Sequence, residues 1–75
     1  MAHFLFRDEQ GVMLLGEQHI DTSAVPRVGE HIALKNDLAR HLLGENSGSF
    51  TVDDVQWSAG EKGLEVQVDC HKDSH

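Results

Sequence analysis

A chain of 75 residues with thirteen acidic and six basic side chains, and a formal charge of −7 with histidine neutral, has material for one small domain. A domain of this size buries only about 60% of its unfolded surface, so its core is thin. One cysteine excludes an intrachain disulfide, and the scattered basic residues Arg7, Arg27, Lys35, Arg40, Lys62 and Lys72 form no stripe able to displace counterions from a phosphate backbone or an anionic membrane.

These bounds point to an acidic cytoplasmic protein with no nucleic-acid partner and no membrane partner. No segment approaches the ~20 consecutive apolar residues of a membrane span, and the opening MAHFLFRDEQ lacks the apolar run of a signal peptide.

In chain order, Phe4 and Phe6 alternate with His3, Leu5 and Arg7, which predicts a strand. Asp8-Glu9-Gln10-Gly11 reads as a turn, and Val12, Met13, Leu14 and Leu15 read as the second arm of a hairpin. Because all four are apolar, that arm is expected to be buried on both faces or to have one face held by a partner. Gly16 marks a bend, Gln18 to Ile20 can continue the strand, and Asp21-Thr22-Ser23 breaks it. Pro26 and Gly29 then form a turn before a third strand, Glu30 to Lys35, with Ile32 and Leu34 inward.

A short helix follows in NDLARHLLGENSG. Asp37 is placed as its N-cap, Leu38, Leu42 and Leu43 as its apolar stripe, and Gly44 as a left-handed C-cap. The last stretch, GSFTVDDVQWSAGEKGLEVQVDC, reads as a long hairpin. Phe50 and Val52 share one phase while Val55 and Trp57 take the opposite one, so a bulge is expected at Asp53-Asp54 to keep all four inward. After the turn SAGEKG, Leu64, Val66, Val68 and Cys70 alternate with Glu65, Gln67 and Asp69.

The predicted fold is mainly β: a small five-stranded antiparallel barrel or strongly curved sheet, OB-like or SH3-like, with one short helix between strands 3 and 4. Residues 1–70 form the single domain and residues 71–75 a frayed polar tail. Val25, Pro26, Val28, Gly29 and Glu30, followed by Phe50, Val52, Val55 and Trp57, resemble small and mostly uncharacterised bacterial or mobile-element β-barrel proteins in which a VP-x-VG-(E or D) turn precedes a strand and an aromatic-x-Val strand ends near a Trp. The resemblance covers about half the chain; it implies a small β-barrel and transfers no active site.

Chemistry is sparse in the sequence. No catalytic residue, cofactor or metal site is expected. Cys70, His71 and His75 are the weak metal candidates, against a buried free thiol and a solvated tail. His3, His19, His31 and His41 lie on separate elements without an HxH or HxxxH pairing. Asp53 and Asp54 are the place to look for a catalytic carboxylate, with local hydrogen bonding at the bulge as the plainer reading. Trp57 falls on the core phase and reads as core or rim.

The reading that follows is a non-enzymatic interaction or self-assembly module, partnered by itself or by another protein, homo-oligomeric, with Val12, Met13, Leu14 and Leu15 as interface residues. The alternative is a small-ligand-binding protein or enzyme whose pocket forms between subunits, with His19, His31, Asp53 and Asp54 converging there. Protonating six histidines would take the formal charge from −7 to −1, so association limited by repulsion should strengthen as pH falls through the ordinary histidine range near 6.5.

Overall fold

The computed structural model describes residues 2–20 and 24–73. Its elements are β1 (Ala2–Arg7), β2 (Gln18–Ile20), β3 (His31–Lys35), α1 (Asn36–Leu43), β4 (Ser47–Gly60) and β5 (Gly63–Lys72). The strands form one sheet in the order β2-β1-β5-β4-β3, curled into a half-barrel with the short helix between the third and fourth strands. Pairing is antiparallel except between β1 and β5, which run parallel from Ala2 opposite Val66 to Arg7 opposite His71. Among the described residues β2 and β3 remain the outer strands.

The alternation of the sequence fixes the inner face. Phe4 and Phe6 from β1, Phe50 and Val52 from β4, and Val66, Val68 and Cys70 from β5 are buried together with Leu34 from β3 and with Ala39 and Leu42 of the helix. Phe6 packs edge-on against Phe50 at 4.9 Å between ring centres and is stacked with Phe4 at 5.8 Å. Edge-on and offset stacking are the arrangements that ring quadrupoles favour. The helix starts at Asn36 after Lys35, whose side chain makes no capping bond. Asp37 therefore lies in the first turn rather than at the N-cap, where its carboxylate favours the dipole and pairs with Arg40. Gly44 is the expected left-handed C-cap, at φ 72°, and donates to the Arg40 carbonyl at 3.0 Å.

The bulge is where the alternation slips. Val52 pairs with Cys70 and Asp54 with Asp69, leaving Asp53 as the extra residue. The turn before β3 is fastened to the same point. Gly29, at φ 92°, donates to the Val52 carbonyl, and Val52 donates back to the Glu30 carbonyl. Glu30 also closes its own turn, its carboxylate accepting from the Arg27 amide and its amide donating to the Arg27 carbonyl. These bonds give the Val-Pro-x-Val-Gly-Glu segment a physical purpose: glycine supplies the positive φ, and glutamate satisfies an amide that a tight turn leaves open.

Two further expectations are corrected. Val12 to Leu15 form no strand: the turn on Asp8 leads to one bridge between Arg7 and Met13, and Leu14 donates to the Phe6 carbonyl. Leu15 and Gly16 then both take positive φ, 54° and 82°, which turns the chain out of the ladder before pairing resumes at Gln18. Only Leu14 packs on the core, while Val12, Met13 and Leu15 are exposed. Nor is the region after Cys70 frayed throughout. β5 continues to Lys72, and the Asp73 amide donates to the Ser49 carbonyl at 3.0 Å. Polarity is a poor guide there because Ser49 and Thr51 of β4 supply donors for the Asp73 carboxylate. The break expected at Asp21 to Ser23 falls outside the described residues.

Candidate interaction surface

β4 and β5 outrun their neighbours. β3 pairs with β4 only from Ser47 to Thr51, and β1 pairs with β5 only from Val66 onward. Beyond these limits the two strands continue as a ribbon to the turn at Glu61-Lys62, closed by Gly63 at φ 109°. The inner phase stays apolar along it. Val55 faces Val68, Trp57 faces Val66, and Ala59 faces Leu64.

Burial falls away along this face even though the residue pattern does not change. Val68 is fully buried and Val55 half-buried, whereas Trp57 is 56% exposed and Leu64 65%. Trp57 is thus a rim residue rather than a core one, and Leu64 lies outside the core. Beside them the turn preceding β3 contributes Val25, Pro26, Arg27 and Val28, which with Val55 and Trp57 line a cleft of about 330 Å³. Val28 is 61% exposed. Exposed apolar side chains gathered on one face are candidates for a contact surface.

The polar candidates fall into two groups, one at each side of the sheet. Asp53, thrown out by the bulge, accepts a hydrogen bond from His71 Nδ1. Asp54 stands opposite Asp69, a like-charged cross-strand pair, with Arg7 3.6 Å from the Asp69 carboxylate. His31 joins the same end of the sheet from β3, in one row with Thr51 and His71. The Thr51 hydroxyl gives its one proton to Asp73, so it accepts from His31 Nδ1 at 3.1 Å, and Ser49 donates to the other Asp73 oxygen at 2.7 Å. These bonds from Thr51 and Ser49, together with the nearby His31 and His71, hold the Asp73 carboxyl below its ordinary range.

His19 is at the far edge of the sheet. It donates from Nε2 to Glu17 at 2.8 Å, and His3, directly opposite on β1, donates from Nδ1 to the same oxygen at 2.6 Å. Bonds from His3 first and His19 second hold the Glu17 carboxyl low. Within one chain, then, His19 stands apart from the others, whereas His31 and Asp53 are linked through His71 and Asp73, since His31, Thr51 and His71 form one cross-strand row. Of the sequence's metal candidates, Cys70 is buried among core side chains and His71 is engaged by Asp53, while His75 lies outside the described residues. Burial, with Asp53 and Asp69 nearby, pushes the Cys70 thiol up to about 12 and keeps it a protonated core group rather than a nucleophile. No helix among the described residues is long and apolar enough to cross a membrane.

The sequence reading missed His3, Glu17 and Asp73 as partners. The available signal was Glu17-x-His19, a carboxylate and an imidazole at the period of one strand face. Comparison with protein-family models, curated proteins and solved structures found no match for this chain.

Proposed function

We propose that this chain is a non-enzymatic self-assembly module whose partner is a second copy of itself, joined through the uncovered inner face of the β4–β5 ribbon. The observation that carries the reading is the apolar phase of the core continuing past its cover, through Trp57 and Leu64 and alongside Val28. A face that continues a core is complemented by another apolar β-face, and a second copy supplies one. Sheets pack in this way about 10 Å apart with interdigitated side chains.

The outer strands are poorer candidates for contact. β2 is three residues long and β3 five, and β3 ends in Lys35. Short strands and edge lysines are the ordinary means of discouraging strand addition. The ribbon exposes only a few large apolar side chains, Trp57, Leu64 and the neighbouring Val28, where a standard interface engages roughly 20–30 residues a side, so association is expected to be concentration-dependent rather than permanent. The charge of −7 on each copy opposes it, and added salt should strengthen it.

The test is sedimentation of the wild type beside Trp57→Glu. The wild type should gain mass with concentration and the variant should remain a single chain. A variant that associates as the wild type does would remove the ribbon from the interface.

A further inference from the structure

On the opposite face of the sheet, three groups that no function above uses converge on one point. His3 Nδ1 and His19 Nε2 both aim at Glu17 Oε1, at 2.6 and 2.8 Å, and the ligand atoms of all three residues lie within 4.8 Å of one another. The backbone sets this up. His3 and His19 are partners in the β1–β2 register, and Glu17 precedes His19 by two residues, the period that places both on one face. The imidazoles meet edge to face, with centres 4.4 Å apart at 69°. Two rings presenting nitrogens to a common centre from adjacent strands is an arrangement chemistry uses for a cation.

We infer that His3, Glu17 and His19 form a binding site for one borderline transition-metal dication, with Zn²⁺ as its representative. Two imidazoles and a carboxylate suit zinc, cobalt, nickel or copper, and they argue against magnesium and calcium, which take oxygen ligands. Bonds of about 2.0–2.1 Å in a tetrahedron put ligand atoms about 3.3 Å apart. The Glu17 oxygen therefore has to withdraw by about 0.7 Å from His3 and about 0.5 Å from His19, and the two nitrogens, within 4.8 Å of each other, have to close to about 3.3 Å, which side-chain rotations at an exposed sheet edge supply.

The protons balance simply. At present each ring donates the hydrogen on the nitrogen facing Glu17. On metal binding each neutral ring moves its proton to its other nitrogen by exchange with solvent, and the freed lone pair becomes the ligand. Three protein ligands leave a fourth position. The depression beside the cluster, about 280 Å³ and lined also by Ser58, Glu65 and Gln67, has room for a water or a small anion there. The site also clips β2 to β1 through a three-residue ladder, so loading it stabilises the sheet edge.

The test uses the full chain free of any affinity tag, at about pH 7.5 where neutral imidazole prevails. Zn²⁺ is titrated calorimetrically, and Co²⁺ is added in parallel as a spectroscopic stand-in. One equivalent per chain is expected, with affinity falling at least tenfold in each of His3→Ala, Glu17→Gln and His19→Ala and unchanged in His31→Ala and His71→Ala. Glu17→Gln keeps an oxygen acceptor for the two rings, so it carries the test should His3→Ala unfold. Zn²⁺ should raise the Tm of the wild type clearly more than that of Glu17→Gln at the same metal concentration. No saturable uptake up to about 1 mM, binding that survives the three substitutions, or binding that falls with His71→Ala instead, would overturn the assignment.

Discussion

The two ends of the β4–β5 hairpin have the same residue pattern and opposite fates. At one end Phe50, Val52, Val68 and Cys70 are sealed beneath the helix and the phenylalanines of β1; at the other Trp57 and Leu64 stand in solvent. Alternation is unbroken across both once the bulge at Asp53 is allowed for. What differs is the reach of the neighbours, since β1 starts opposite Val66 and β3 stops at Thr51. Pattern therefore decides which way a side chain points, and neighbouring length decides whether anything meets it. A two-stranded ribbon alone is marginal in water, and the proposed self-contact is placed on its exposed apolar face for that reason.

The comparison breaks most visibly at the sealed end. Phe50→Ala removes a ring that is wholly buried against Phe6 and should cost about 3–5 kcal/mol, enough to unfold much of so small a domain, read by thermal melting. Cys70→Ser, which puts a hydroxyl into the same sealed end, should cost about 1–3 kcal/mol. The native Cys70 thiol should also react far more slowly with a thiol reagent than the unfolded chain. Its ionisation is raised from 9.0 to about 12, so stability should decline as pH rises from 9 toward 12. At the open end, Leu64→Ala should change the melting of the dilute protein by no more than about 0.5 kcal/mol while weakening association. A large loss of monomer stability there would mean that the ribbon is as well covered as the core.

Acid sharpens the picture at the closing edge of the sheet. The Asp73 carboxyl is held low by Thr51 and Ser49, so its contribution is present above the ordinary aspartate value of 3.8 and is lost as pH falls below it through the lowered folded value. Asp73→Asn should lower the melting temperature at neutral pH and flatten that acid limb, so that the difference from the wild type closes as pH falls below 3.8.

Much of this was legible in the sequence. The bulge could be read from two adjacent aspartates between apolar residues of opposite phase, the helix from Leu38, Leu42 and the glycine after it, and the inner face from simple alternation. Two kinds of information were not legible. Local apolarity at Val12 to Leu15 reads as a strand, but two consecutive left-handed residues at Leu15 and Gly16 override it. Long-range pairing is the other: nothing near His3 announces His19 as its opposite number, and nothing in β1 announces that it lies parallel to β5. The polar clusters arise from those pairings, which is why the aspartates and histidines singled out individually acquired partners that had not been paired with them.

The most direct test of the ribbon's role uses the sole tryptophan, which sits in the proposed contact. Sedimentation mass and Trp57 emission are followed together over a concentration series of the wild-type chain. The account predicts that mass rises above the 8.3 kDa of one chain as emission moves to shorter wavelength, because association takes a half-exposed indole out of water. A mass that rises while the emission stays fixed, or a mass that stays at one chain throughout, would contradict it.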